Sequence, residues 1–224
     1  VRPMPRRRWL GLAVPVAAAV AILAAVVLMN RGPDLRVAEV SGSGTIVVDG
    51  VRVDAKDPAL AGATLDAGSI VEVSAGVTLD LIAGDVTLYE ITGGTTLTIP
   101  RTPGRWFDNT AACSLMVGEV RLKTGRDFEG RELRVHTPEG LVVVTGTLLS
   151  IQCDEGGTCV CVLEGVARVG VDEDDLEPVE PGFRKIMLRD GTVDIIPVKP
   201  MHRDGVLDFD NRVGNRIEAD SQSE

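Results

Sequence analysis

From Met29 to about residue 200 the chain never sustains an apolar pattern with helical period. Short alternating runs of Val, Ile, Leu and Thr are instead cut apart by turn residues, with 25 Gly in 224 residues. That pattern admits one broad kind of fold, a set of many short strands. The best-marked unit is Ile46-Val47-Val48, then Asp49-Gly50, then Val51-Arg52-Val53, a two-residue hairpin. Further strands are expected at Ser69–Val73, Val77–Ile82, Val86–Ile91 and Thr95–Ile99. After a loop from Pro100 to Ala112 they resume at Cys113–Val117, Val120–Lys123, Leu133–Thr137, Leu141–Thr145, Thr147–Cys153, Thr158–Leu163 and Val166–Val171. Asp172 to Pro181 reads as an acidic loop, and Lys185–Leu188, Asp190-Gly191, Thr192–Ile196 as a last hairpin. The fold class is therefore all-β, with antiparallel strands in a sandwich, jelly roll or short solenoid.

A weak internal repeat runs through this region. Val117-Gly118-Glu119-Val120-Arg121-Leu122 and Glu164-Gly165-Val166-Ala167-Arg168-Val169 share one phrase, and Ser43-Gly44-Thr45-Ile46-Val47-Val48 is a looser copy. Acidic-small-Gly turns, Asp66-Ala67-Gly68 and Glu180-Pro181-Gly182, follow two of them.

One transmembrane helix is expected ahead of the β-domain. Trp9 to Met29 is a run of 21 residues without a charge, about 31 Å as a helix and enough for the hydrocarbon core of a bilayer. Arg6, Arg7 and Arg8 stand just before it, so the positive-inside rule leaves the N-terminus in the cytoplasm and the rest outside. A cleaved signal peptide is the alternative. Ala19-Val20-Ala21 has a small-x-small form, but the apolar run continues eight residues further than such a segment requires.

Charge excludes a class of partner. Residues 1–32 hold five Arg and no acid, whereas residues 33–224 carry 18 basic and 33 acidic side chains, a net −15. So acidic a body repels phosphate backbones, which argues against nucleic acid. Aromatics are only 3% of residues, too few for a stacking platform.

Signatures of catalysis are sparse. There are two histidines, His136 and His202, neither in a cluster with metal-ligand spacing. No glycine-rich loop precedes a helix, and no nucleophile stands with a base. The run Asp172-Glu173-Asp174-Asp175 offers oxygen ligands but lacks the alternating spacing of a calcium loop, and reads as solvated. The chain is expected to be no enzyme and to need no cofactor or metal.

Cysteine is the sharpest local feature: Cys113, then Cys153, Cys159 and Cys161. An even count in an exported domain argues for disulfides. With a hairpin loop of Asp154–Thr158, Cys153 faces Cys159 and Cys161 is left for Cys113. The rival readings are a zinc site, which lacks a CxxC pair, and a redox-active CxC. Toward the C-terminus, Val206, Phe209, Val213 and Ile217 fall at helical spacing, but Asn211, Gly214 and Asn215 weaken a helix, and a segment packed along the domain edge is the preferred reading over a partner-binding helix.

Val135-His136-Thr137-Pro138-Glu139-Gly140-Leu141-Val142-Val143-Val144-Thr145-Gly146-Thr147-Leu148-Leu149-Ser150-Ile151 resembles the V-x-T-P-x-G-x-V-x-V-x-G-T-x-F-x-V signature of the FecR family. Val162-Leu163-Glu164-Gly165-Val166 looks like the same family's V-x-E-G-x-V turn, and Leu65 to Ile99 is similar to its first half. Leu149 stands where the family has Phe. The resemblance covers about residues 37–197. It marks Thr137, Pro138, Gly140, Gly146, Thr147, Glu164 and Gly165 as motif residues, here read as structural, with Gly146 a bulge or bend. It implies a short basic cytoplasmic segment (1–8), a signal-anchor helix (9–29), a linker (30–36), an exported FecR-like β-domain (37–200) and an acidic tail (201–224). The implied role is a single-pass inner-membrane sensor or regulatory module of envelope signalling, its domain in the periplasm or outside the cell. It would act by contact with another envelope or membrane protein. A sigma factor is implied as partner only if cytoplasmic sequence precedes Val1, since eight residues are too few for a domain that binds one. The alternative is a structural or adhesive envelope scaffold.

Overall fold

The computed structural model describes residues 24–26 and 30–220, with side chains as far as Arg212. Of the apolar run Trp9–Met29, only residues 24–26, helical and exposed, are among them. The expected membrane span therefore lies outside the described residues, and no helix among those described is long and apolar enough to cross a membrane.

Fourteen strands follow, in chain order β1 (Arg36–Gly42), β2 (Thr45–Val48), β3 (Val51–Asp54), β4 (Ile70–Val73), β5 (Val77–Ala83), β6 (Thr87–Ile91), β7 (Thr95–Thr98), β8 (Thr110–Thr124), β9 (Glu132–Thr137), β10 (Gly140–Asp154), β11 (Gly157–Gly170), β12 (Glu177–Val179), β13 (Phe183–Leu188) and β14 (Val193–Pro197). One helix, α1 (Pro200–Asp220), ends the described chain. The all-β class holds, and α1 is its only long helix among the described residues.

Three strands, β8, β10 and β11, are twice or more the length of the others, and each serves two sheets. Their halves nearer the β10–β11 turn join the order β1-β5-β6-β8-β10-β11-β13-β14. Their other halves join β3-β2-β4-β7-β8-β9-β10-β11-β12. All these pairings are antiparallel except β8 with β9, which is parallel. Single strands thus hold together two sheets that close over one apolar core, in which Ile46, Val71 and Leu97 meet Leu79, Leu122 and Val160.

Glycines stand where the long strands cross. Gly118 in β8 has φ +96°, Gly146 in β10 φ +151° and Gly165 in β11 φ +68°. Two of these are the glycines of the internal repeat, so the repeated phrase marks the kink that redirects a strand from one sheet to the other. Gly165 is also a close approach: a Cβ there would collide with the carbonyl oxygen of Gly146. At Gly146 itself a Cβ would meet nothing within 4 Å, so backbone conformation rather than room selects glycine.

Several expectations change. The five strands expected across Cys113–Lys123, Leu141–Cys153 and Thr158–Leu163 are halves of three long ones, with Val166–Val171 continuing β11 through register shifts. The acidic loop contains β12, and β1 precedes the first expected hairpin. Residues 30–36 are not a free tether, because Leu35 is buried in the core and the Asn30 side chain bonds the 100–109 loop. The C-terminal segment is helical after all, yet it packs on its own domain. Val206 and Phe209 are fully buried against Ile82, Leu88 and Leu148 on the outer face of the first sheet. The side chains of Val213 and Ile217 lie outside the described residues.

Two outcomes follow from this packing. Gly146→Ala should lose about 1–3 kcal/mol, the cost of an unfavourable φ, while Gly165→Ala adds a backbone collision and should lose about 4 kcal/mol or more. Chemical unfolding of the two variants checks the order, and equal losses would contradict it. Phe209→Ala would cost about 3–5 kcal/mol if α1 stayed in place, but a terminal helix has a cheaper route, which is to leave the sheet. Amide exchange in α1 should accelerate at least about tenfold with β10 unchanged; equal acceleration in both would show that helix and sheets open together.

Candidate functional site

The signature segment forms the β9–β10 hairpin. Thr137 pairs with Gly140 across the two-residue turn Pro138-Glu139, and its Oγ1 donates to the Gly140 carbonyl at 3.0 Å. Gly140 passes so close to Gly170 that a Cβ would strike its carbonyl oxygen. Glu139, which carries no signal in the sequence, folds back from this turn with its side chain 9% exposed. Its Oε2 accepts from Thr158 Oγ1 at 2.7 Å, and Arg189 Nε lies 3.4 Å from Oε1. The hairpin is thereby fastened to the start of β11. Gly146, Thr147, Glu164 and Gly165 lie together where β10 and β11 cross between sheets, Thr147 opposite Gly165. Thr147 is buried and its amide donates to Thr124 Oγ1 at 2.8 Å, whereas Glu164 is exposed.

The cysteines separate onto two faces. The β10–β11 loop is two residues, Glu155-Gly156, so Asp154 pairs with Gly157 and Cys153 faces Thr158, not Cys159. A shift of one residue reverses every side chain. Cys113 and Cys153 therefore lie in the core between the sheets, while Cys159 and Cys161 share the outer face with Leu163, which packs against the α1 cluster. All four thiols are free, and the expected pairs Cys153–Cys159 and Cys113–Cys161 are not formed. Instead the sulfurs of Cys159 and Cys161, neighbours on one face of β11, are 3.8 Å apart.

Their environments differ as much as their positions. Burial pushes the Cys113 thiol up to about 12 and that of Cys153 up to about 11, so both are inert at neutral pH. Cys159 is held down at about 7, chiefly because Cys161 donates its S–H to it and further because Arg184 stands beside it. Donating that proton, together with burial, raises Cys161. Arg184 on β13 is only 6% exposed, with Nη1 3.9 Å from Cys159 Sγ. Its Nε has no hydrogen-bond partner, and among the described residues no carboxylate forms an ion pair with it. Cys159 lines a cleft of about 290 Å³ together with Gln152, Asp154, Arg184, Lys199 and His202.

A second set of charges lies under α1. Glu90 on β6, 2% exposed, is bridged by Arg121 from β8 and Arg212 from α1, and Arg121 Nε also reaches Glu119 at 3.0 Å. Arg212 Nη1 lies 3.4 Å from Asp80 Oδ2, and Lys123 pairs with Asp210. Burial raises the Asp80 carboxyl above its ordinary range, while the Arg212 charge pulls it back. These pairs clamp the helix over buried carboxylates, Arg212 adding a second cation to the Arg121 that Glu90 already has on the sheet.

The remaining candidates are local structure. His136 is exposed on β9. The Asp172 carboxylate accepts from the amides of Asp174 and Asp175 and so shapes its own turn, and Glu173 pairs with Arg134. Among the described residues no group of three or more His, Cys, Asp or Glu side chains is placed to hold a metal ion.

Comparison with known proteins bears on the shared strands. No curated protein matches the chain. Two crystal structures of a candidate anti-sigma factor from Parabacteroides distasonis ATCC 8503, at 2.50 Å and 1.65 Å resolution, are similar at 21% identity and a TM-score of 0.48. The match covers 57% of this chain and 59% of that one, so the chain spans about three fifths of those structures. The family model for the FecR protein matches residues 69–168, a narrower stretch than the 37–197 read from the signature. It opens beside β4, ends near the close of β11 and takes in all three strands that the two sheets share. Over this segment, somewhat under half of the chain, the sequence matches the FecR family.

Proposed function

We propose that the chain is a membrane-anchored regulatory module of envelope signalling, acting by protein–protein contact and not by catalysis. The observation that carries this reading is the FecR-family match over residues 69–168. The uncharged run Trp9–Met29 behind Arg6, Arg7 and Arg8 supports the anchor and its orientation. In this reading the β-domain, residues 37–200, lies outside the cytoplasm with α1 docked against it. Its partner is another envelope or membrane protein, and a sigma factor is the regulated component, reached through that partner or, directly, only through cytoplasmic sequence preceding Val1. The acidic body suits a protein partner with a basic face and disfavours nucleic acid.

The decisive experiment is loss of the chain in its native host, read as transcription. A coherent shift in promoters served by one alternative sigma factor is the expected result. An unchanged transcriptome with altered surface integrity or adhesion would overturn signalling and leave the scaffold role. Topology is tested separately by fusing reporters after Glu224. A reporter active only outside the cytoplasm should be active there, and activity of a cytoplasm-only reporter would sink the anchored orientation.

A further inference from the structure

We propose that Cys159 and Cys161 form a redox-active dithiol site whose oxidising substrate is a small-molecule or protein disulfide. Three observations carry it. The two sulfurs are 3.8 Å apart on one face of β11. Cys159 opens onto a cleft large enough for a peptide-like thiol. The buried Arg184 guanidinium, its Nε unpartnered, has the Cys159 sulfur as its neighbour, and a buried cation without a carboxylate calls for an anion. The thiolate of Cys159 is the anion available. The charged or titratable groups around it are Asp154 at the end of β10, Arg184 on β13, Lys199 and His202 at the start of α1, and Cys161 on its own strand. The near-neutral titration of Cys159 agrees with that setting.

The chemistry balances without a metal or cofactor. Cys159 thiolate attacks a disulfide RSSR, forming Cys159–S–S–R and releasing RS⁻, which takes a proton from solvent. Cys161, losing its proton to the departing sulfur, then attacks Cys159, forming the Cys159–Cys161 bond and releasing the second RSH. The protein loses two electrons and RSSR is reduced to two RSH. Residues two apart on a strand have Cα atoms about 6.8 Å apart, the far limit for a disulfide. Such a bond is readily reduced again, which suits a reversible signal.

The test uses the full chain and oxidised glutathione, with products mapped by mass spectrometry. Wild type should give the Cys159–Cys161 disulfide with no retained adduct, and Cys161→Ser should stop with one glutathione on Cys159. Arg184→Gln should slow the first step at pH 7. Full return of Cys159 to an ordinary thiol would slow the step about six-fold, and because Cys161 still donates to Cys159 in this variant, a smaller slowing, about two- to three-fold, is expected. The wild-type rate should rise through about pH 7 and that of Arg184→Gln at higher pH. Should Arg184→Gln not fold, alkylation of the native wild type decides the matter equally well, with Cys159 expected to be labelled well ahead of the other three. A stable adduct on wild type, or Cys159 labelled no faster than a free cysteine, would overturn the site.

A separate observation assigns a lipid-facing surface to the 100–109 loop, and this rests on the anchored reading. Asn30 directly follows the apolar run and is buried, its Oδ1 accepting from the amides of Trp106 and Phe107 and its Nδ2 donating to the Phe107 carbonyl. The pinned tip exposes Trp106 at 54% and Phe107 at 46%, with Arg105 over the indole ring. Beside it Arg131, 7% exposed, has Nε and Nη1 without hydrogen-bond partners, and the charges of Asp127 and Arg105 act on it in opposite directions. Two exposed aromatics with the Arg105 guanidinium over one of them, held where the chain would leave the bilayer, fit an anionic headgroup layer. Trp9 and Trp106 are the two tryptophans of the chain, so the full chain carrying Trp9→Phe reports on Trp106 alone. In vesicles containing phosphatidylglycerol and brominated lipid its fluorescence should be quenched. Flotation with the vesicles without quenching would overturn the surface and leave the anchor, whereas failure to float would overturn both.

Discussion

Two sheets that share three strands impose a constraint on everything else in the molecule. In an ordinary sandwich each sheet is hydrogen-bonded within itself and the two meet only through side chains. Here β8, β10 and β11 carry backbone ladders in both, so moving one sheet relative to the other means breaking peptide hydrogen bonds at the crossings. The crossings in turn require glycines, and the collision that a Cβ on Gly165 would make with Gly146 shows how closely β10 and β11 approach there. Pairings such as β1 with β5 and β8 with β10 bring together residues far apart in sequence, which predicts slow folding of the domain as a unit.

The outer face of the first sheet is a different environment from the core. Along β10 and β11, alternation sends Leu149, Ile151, Val160 and Val162 inward and leaves Leu148, Leu163, Cys159 and Cys161 outward. Burying Leu148 needs a cover, and α1 supplies it with Val206 and Phe209. The charges beneath act in the same direction, since Asp80 and Glu90 on the sheet are matched by Arg212 on the helix. The helix is thus held by apolar contact at its centre and by charge further along, although its own glycines and asparagines favour it little.

That balance explains what the sequence disclosed. Asp49-Gly50 and Asp190-Gly191 place their hairpins because turn chemistry is local, and Asp49 does adopt φ +50°. Gly118 and Gly165 read in sequence as breaks between strands and Gly146 as a bulge or bend, since a kink and a turn look alike when the pairing partner is unknown. The cysteine pairing is illegible for a related reason: a loop of two residues or of five is one choice in sequence but decides which face each thiol occupies. Arg184 carries no sequence signal. Only the register of β13 against β11 puts it opposite Cys161, and only burial makes its charge matter. The helix stripe at Val206 and Phe209 is visible in the sequence, but its destination on the domain's own sheet depends on Leu148 and Leu163 facing outward.

The dithiol and the helix are neighbours in a way that couples them. Lys199 and His202, at the start of α1, share the cleft with Cys159. With Cys159 ionised, the buried guanidinium of Arg184 has its counterion. A Cys159–Cys161 bond removes that negative charge while the guanidinium remains charged, so oxidation takes the nearest anion from a buried cation in a cleft that also holds Asp154 and Lys199. The strand is simultaneously drawn together at residues 159–161. Both effects disfavour the present packing of the first turn of α1, and neither touches the core, where Cys113 and Cys153 stay out of reach. On the proposed reading, in which the chain signals by contact, a change confined to the covering helix is of the right kind, because it alters the outer surface without unfolding the sheets that hold it.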